Sequence, residues 1–210
     1  MGVDACLGKW VGIALDDGRY AGVRLDSSVA SLATAWPETV AIAVDIPIGF
    51  PEFPLREAER AAREFLGVRR SSVFPTFPAV VLSSATYEEA KAVCVERGWP
   101  KLSLQSFGMR HRIREVTEVA AEDERIIEVH PEVSFRELFG RDLESKRTAL
   151  GAAERRAALK DADIELPDLP YPLADVLDAA VAAWSAARYA RQEALPLPKA
   201  HEARLGAIWR

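Results

Sequence analysis

The chain of 210 residues contains only two cysteines, Cys6 and Cys94. Two cysteines are too few for the disulfide framework of a small secreted domain or for a structural zinc site. No stretch approaches the roughly 18 consecutive apolar residues that a membrane-spanning helix needs. A strand pattern begins almost at the N-terminus, where a secretory leader would place basic and then apolar residues. We therefore expect a cytoplasmic protein that has no membrane segment.

The sequence also lacks an excess of positive charge, since its formal net charge is −5. This balance argues mildly against a nucleic-acid partner, because basic contacts to phosphates supply much of the affinity in such complexes. The basic residues are nevertheless clustered, in the stretch 109–114 and among the arginines between positions 56 and 70. These clusters indicate either a phosphate-binding rim or solvated helix faces, and the sequence leaves both interpretations open.

The hydrophobic patterns predict an α/β protein with one domain over residues 1–210. An apolar content of 49% and a charged content of 28% are typical of a globular chain of this length. The first three predicted strands follow one another as hairpins, and the last two alternate with helices, which favours a mixed five-stranded sheet flanked by helices. The patterns place strands at 3–7, 10–15, 20–25, 40–46 and 125–129, and helices at 27–36, 54–66, 86–97, 104–119, 142–160 and 173–193.

Acidic residues lie where these elements would bring them together. Asp4, Asp45 and Glu128 each accompany an apolar strand pattern, and Asp178 lies on an alanine-rich helix. Asp175 is three residues before Asp178 and shares its helix face. Because an unpaired buried carboxylate is costly, a divalent metal is the partner that would use the whole group, and oxygen-only ligands suit Mg²⁺ or Mn²⁺. Taken singly, each aspartate could instead cap a turn or the start of a helix.

The geometry of this predicted metal site depends on how the strands pair. Asp4 and Asp45 are neighbours if the first and fourth strands pair in parallel, since adjacent strands lie about 4.8 Å apart. Glu128 joins them if the fifth strand lies beside the first. His130, two residues after Glu128, would then lie on the same side and could act as a general acid or move protons. Alternatively, His130 caps the helix that begins after it.

A second group of residues is suited to binding phosphate. Arg69, Ser71 and Ser72 follow a glycine in a segment that contains two prolines and is predicted to be irregular. Lys146 lies near the start of a predicted helix. Guanidinium, ammonium and hydroxyl groups bind phosphate well. A plain loop with serine-mediated turns is the alternative for the first three residues.

The distribution of acidic residues resembles the RNase H-like fold, in which carboxylates on the first and fourth strands and on the last helix hold metal ions. The segment Asp175-Val-Leu-Asp178-Ala is similar to the C-terminal helix motif of Holliday-junction resolvases within that superfamily. Over nearly its whole length the chain resembles domain-of-unknown-function family 429, described as predicted RNase H-like nucleases. The resembling segments are GVD (2–4) with Trp10, DIPIGF (45–50), GVRRSSVFP (67–75), EVHPEVSF (128–135), Ser145 and Lys146 with Arg155 and Arg156, and DVLDAAVAA (175–183).

The resemblance implies a metal-dependent nuclease or phosphodiesterase that hydrolyses a phosphodiester with two metal ions. Asp4, Asp45 and Asp178 would be the main ligands, and Glu128 and His130 would complete the catalytic set. The substrate could be DNA, RNA or a small phosphodiester. An ATP-dependent phosphotransferase is one alternative, although Gly8 lacks the further glycines of a nucleotide-binding hairpin. A non-catalytic binding protein on the same fold is the other.

Overall fold

Five strands form one mixed sheet in the computed structural model of the protein, which describes residues 1–200 and 203–210. They are β1 (Gly2–Cys6), β2 (Lys9–Asp16), β3 (Arg19–Asp26), β4 (Ile42–Val44) and β5 (Ile126–Glu128). The order across the sheet is β3-β2-β1-β4-β5. The first three strands are antiparallel, whereas β4 is parallel to both β1 and β5. The predicted mixed sheet is therefore confirmed, and the parallel pairing of the first and fourth strands, on which the predicted metal site depends, is present.

Helices cover both faces of this sheet. They are α1 (Val29–Ala35), α2 (Glu57–Leu66), α3 (Ala79–Leu82), α4 (Tyr87–Glu96), α5 (Leu104–Gly108), α6 (Arg110–Glu122), α7 (Pro131–Phe139), α8 (Ala149–Asp161) and α9 (Leu173–Ala190), with a 3-10 helix at Gly67–Ser72. On one face, Val44 and Ile126 pack against α1, α3, α4 and α6. On the other, Val11, Ala43 and Ile127 pack against α7, α8 and α9. Over residues 1–200 and 203–210, no helix is both long and apolar enough to cross a membrane.

The structure corrects several predicted boundaries. The helix predicted over 142–160 begins only at Ala149, because the Thr148 hydroxyl accepts a hydrogen bond from Gly151 N at 3.0 Å and caps the helix there. The helix predicted over 104–119 is two helices that meet at Met109. A two-stranded hairpin of β6 (Pro196–Leu197) and β7 (Ile208–Trp209) near the C-terminus was not predicted. The fifth strand lies beside the fourth and not beside the first.

Helix α9 packs directly on the backbone of β1. Gly2 makes this possible, because a Cβ atom at this position would lie 2.0 Å from Ala183 N and 2.1 Å from Ala179 O. The alanines of α9 keep its own side chains short along the same contact, and Ala179, Ala182 and Ala183 are fully buried. The close approach brings the N-terminal half of α9 over the end of β1 that carries Asp4.

Candidate metal centre

Three carboxylates meet at the carboxyl ends of the two central parallel strands. Asp4 is in β1, Asp45 follows β4 directly, and Asp178 is in α9. Each offers one oxygen, and these atoms all lie within 4.8 Å of one another. Asp4 is 9% exposed and Asp178 only 2%, and Asp45 is partly buried. We call these three residues the carboxylate triad.

Backbone hydrogen bonds hold two members of the carboxylate triad, Asp45 and Asp4, in place. The Asp45 backbone N–H donates to Val3 O at 3.0 Å, which continues the β1–β4 pairing to the residue that turns away before Pro47. Asp4 Oδ1 accepts a hydrogen bond from Ala5 N at 2.6 Å. Side chains alternate between the faces of a strand. Asp4 therefore lies on the same face of β1 as Gly2, which is the face that α9 covers.

Burial and mutual repulsion disfavour the charged forms of these carboxylates. The pKa of Asp4 is raised, first by burial and then by the nearby Asp45 and Asp178. Burial, followed by the charge of Asp178, raises the pKa of Asp45 to about 8. Burial also raises the pKa of Asp178, although Lys146 opposes this shift. A cation that enters the carboxylate triad would stabilise the ionised forms of these carboxyl groups.

Lys146 supplies one positive charge to the carboxylate triad. Its Nζ lies 2.5 Å from Asp178 Oδ2. Burial opposes the charge on the lysine, but Asp178, Asp45 and Asp4 together raise the pKa of Lys146 above its usual value. The other oxygen, Asp178 Oδ1, is buried and has no hydrogen-bond partner in the described part of the chain. A buried unpartnered carboxylate oxygen is the donor that a metal ion would use.

The segment that carries Lys146 is irregular but well held. The Ser145 carbonyl packs on Gly151, where a Cβ atom would lie 2.1 Å from Ser145 O. Arg155 is fully buried and donates to Glu144 O at 2.8 Å and to Glu132 Oε1 at 2.7 Å. Gly151, which lies within the helix predicted from the sequence, is therefore the point at which this segment docks.

The structure does not bring Glu128 into the carboxylate triad. In the parallel register, Glu128 pairs with Val44, so its side chain lies on the face opposite to that of Asp45. Its oxygens accept hydrogen bonds from both terminal nitrogens of Arg56, at 2.5 and 2.8 Å, and from Ile48 N at 2.7 Å. Burial raises the pKa of Glu128, and Arg56 opposes the shift. Glu128 is thus satisfied by an arginine.

Asp175 and His130 lie close to the centre without joining it. Asp175 lies beside the Cys6 thiol, whose pKa is raised to about 11 by burial and then by Asp175. His130 precedes α7, but its side chain makes no capping hydrogen bond. Its Nε2 lies 3.3 Å from the Ser72 carbonyl. Because a carbonyl can only accept, the hydrogen is on Nε2, and the buried Nδ1, which has no partner within the described residues, carries the lone pair. Burial lowers the pKa of His130, which favours this neutral form.

A cavity of about 600 Å³ lies next to the carboxylate triad. Its lining includes Asp45 and His130, and it includes all four residues predicted to bind phosphate, Arg69, Ser71, Ser72 and Lys146. The structure therefore brings these residues together on the walls of one cavity that adjoins the acidic cluster.

Sequence reasoning missed how the cations around this cavity are paired. Arg56 pairs with Glu128, and Glu132 pairs with both Arg155 and Arg69. Each of these pairs joins residues that are far apart in the chain. The local sequence contains no signal for such pairs. The cavity also includes Arg147 among its lining residues.

The arrangement could hold a divalent cation. Three carboxylates supply oxygen donors from rigid elements, one buried oxygen lacks a partner among the described residues, and a cation-lined cavity gives access through Asp45. Hard divalent cations prefer oxygen donors of this kind.

Comparison with known proteins gives one result for nearly the whole chain. A family model described as "Protein of unknown function (DUF429)" matches residues 2–203. The comparisons with curated proteins and with solved structures find no match.

Proposed function

The chain belongs to the DUF429 family of proteins of unknown function, and from its carboxylate triad we propose that it is a divalent-metal-dependent phosphodiesterase or nuclease. The observation that supports this most directly is the meeting of Asp4, Asp45 and Asp178 beside a cavity lined with basic and hydroxyl side chains. A cluster of like charges next to a cationic wall is suited to a metal and a phosphate held side by side.

We propose further that the fold is RNase H-like. In support, the first three strands are antiparallel, β1 and β4 are parallel neighbours, and the carboxylates come from the first strand, the end of the fourth strand and the last long helix. This is the placement that the resemblance in the sequence implies.

The residues of the site have distinct roles in this proposal. Asp4, Asp45 and Asp178 would hold Mg²⁺ or Mn²⁺, which supplies charge stabilisation and an activated water when bound. Lys146 balances part of the negative charge through Asp178 Oδ2 and leaves Oδ1 free. Glu128 is a structural partner of Arg56, and it keeps that arginine at the cavity wall.

Residues that line the cavity would bind the phosphate and transfer protons. Arg69, Ser71 and Ser72 would bind and orient the phosphate oxygens. His130 lines the cavity, and burial lowers its pKa, which favours the neutral imidazole that a general base requires, so it could exchange a proton with a ligand there.

The Asp45→Asn variant tests the proposal. Asparagine keeps the shape of the side chain but removes one of three charged donors, so manganese uptake measured by calorimetry should fall at least about tenfold. Manganese-dependent cleavage of a panel of nucleic acids and small phosphodiesters should fall more than about a hundredfold. The exposed Asp168 provides the control, because Asp168→Asn removes the same charge outside the site.

Unchanged cleavage in Asp45→Asn would remove the carboxylate triad from the chemistry. A parent protein that takes up neither magnesium nor manganese would contradict the enzyme proposal and favour a non-catalytic binding protein.

A further inference from the structure

The cavity beside the carboxylate triad has the size of a site for a small ligand. Its volume of about 600 Å³ lies in the range of about 300–1,000 Å³ that is typical of such sites. One unpaired nucleotide matches a volume of this size better than the continuous surface of a duplex does.

The carboxylate triad lies below this cavity and not on an open surface. Asp45 lines the cavity, whereas Asp4 and Asp178 are buried beneath it. Lys146 lines the cavity too and contacts Asp178 from that side. A phosphate that approaches the carboxylates from this side therefore enters the cavity. An unpaired nucleotide can enter such a concave site with its base, whereas the paired strands of a duplex present only their backbone to it.

Part of the cavity lining offers groups for a phosphate. Arg147 and Ser71 make no side-chain hydrogen bond or ion pair among the residues that the structure describes, and Arg69 makes a single ion pair, with Glu132 at 3.3 Å. These donors remain for a ligand. Arg56, in contrast, is fully engaged by Glu59 and Glu128.

Another part of the lining is apolar. Val68, Phe74 and Met109 belong to the same cavity, and Val68 is 84% exposed although it is a large hydrophobic residue. An aromatic ring near a phosphate-binding wall is the arrangement on which unpaired bases stack. Paired bases inside a duplex have no free face for such a contact.

We propose, on the basis of the proposed function, that the substrate is a phosphoester of an unpaired nucleotide, and not an intact duplex. The unpaired nucleotide can be free, as in a dinucleotide, or can belong to a single strand, because the recognised chemistry is the same in both. The base lies toward Phe74 and Val68, and the phosphate lies between Arg69, Ser71 and the carboxylate triad.

Four substrates in one manganese-dependent cleavage assay of the full chain test this proposal. They are a dinucleotide diester, a single-stranded oligonucleotide, the same oligonucleotide as a blunt duplex, and a relaxed, covalently closed plasmid. The proposal expects cleavage of one or both of the first two. The blunt duplex should be cut at least about tenfold more slowly, and the plasmid should not be nicked. Preference between the dinucleotide and the oligonucleotide identifies the source of the unpaired nucleotide.

Two variants locate the nucleotide in the cavity. Phe74→Ala should weaken binding of the single strand, measured by fluorescence anisotropy, about tenfold because a stacking face is lost. Phe53→Ala is the matched control, since Phe53 is exposed and does not line the cavity. Val68→Ser removes the exposed apolar side chain from the lining and should also reduce binding. All three variants should take up manganese as the parent does.

The outcomes separate this proposal from the one on which it rests. Nicking of the plasmid as fast as the single strand, or unchanged binding in both Phe74→Ala and Val68→Ser, would overturn the substrate assignment while the metal-dependent activity stands. Absence of manganese uptake by the parent protein would overturn the proposed function itself.

Discussion

The two oxygens of the Asp178 carboxylate have different surroundings. Oδ2 holds the ammonium group of Lys146, and Oδ1 is buried without a partner in the part of the chain that the structure describes. An aspartate that binds one cation through one oxygen keeps the other oxygen for a second cation. Lys146 therefore reduces the repulsion within the carboxylate triad and leaves a position for a metal ion.

Replacement of Lys146 by methionine should show how much of this charge balance the lysine provides. The variant leaves Asp178 buried and unpaired, which destabilises the fold. Because the lysine side chain is 43% exposed, solvent screening reduces the effect, and we expect a loss of about 1–2 kcal/mol in the free energy of unfolding. Urea unfolding at neutral pH without metal measures this loss.

Manganese should raise the unfolding midpoint of Lys146→Met more than that of the parent, since a bound cation replaces the missing charge. Lys160→Met is the control, because Lys160 pairs with Glu165 and both side chains are exposed. Equal losses of stability in the two variants would show that the Lys146–Asp178 pair is no stronger than a surface pair.

At the scale of secondary-structure elements, the distance between α9 and β1 determines whether the carboxylate triad can form. Asp4 and Asp178 come from these two elements, and Gly2 is the residue that lets the two backbones approach. The position of the carboxylate triad is thus set by a residue with no side chain, two positions away from the carboxylate in β1.

A methyl group at Gly2 should separate the two elements. The Cβ of Gly2→Ala would lie 2.0 Å from a backbone nitrogen of α9, and a helix backbone cannot move aside as a flexible side chain can. Overpacking of this kind costs about 1–3 kcal/mol or more. We expect a lower thermal unfolding midpoint and weaker manganese uptake by calorimetry. Gly108→Ala is the matched control, because nothing lies within 4 Å of a Cβ there. A parent-like unfolding midpoint in Gly2→Ala would contradict the close packing.

The position of Glu128 shows which parts of the site could be predicted from the sequence. The apolar patterns before Asp45 and around Asp4 identify buried strands, whereas their parallel pairing was only a condition in the sequence argument and was supplied by the structure. The position of Glu128 depends on the register of β5 against β4, where a shift of one residue exchanges the two faces. No local pattern specifies that register, so the structure was needed to place Glu128 against Arg56.

The Lys146–Asp178 pair could not be predicted from the sequence, for a different reason. The lysine lies in a segment predicted to be helical that is in fact irregular, and its position depends on the docking of Ser145 against Gly151. A glycine within a helix pattern is equally consistent with a weak point in the helix and with the close approach of another segment. The sequence therefore identified the residue types of the site but not the contacts between them.

For the whole molecule, the raised pKa values of the carboxylate triad make stability depend on pH. Burial and the neighbouring Asp178 raise the pKa of Asp45 to about 8, and the pKa values of Asp4 and Asp178 are raised as well. Between about pH 4 and pH 8 these groups hold more protons in the folded chain than in the unfolded chain. Their contribution to stability is complete below about pH 4 and is lost as the pH rises through the folded pKa values.

A metal ion bound by the carboxylate triad, as we propose, should reverse the sign of this dependence. Thermal unfolding of the metal-free protein should therefore give a midpoint that falls between about pH 5 and pH 8, whereas excess manganese, which binds the ionised carboxylates, should make it rise. Burial lowers the pKa values of His130 and the N-terminal amine, and these groups contribute an opposite slope. Both groups are retained in Asp45→Asn, so the difference between the variant and the parent reports on Asp45 and on Asp4, whose pKa the Asp45 charge raises. Metal-free slopes that are identical in the two proteins would show that Asp45 is ionised throughout this range in the folded chain.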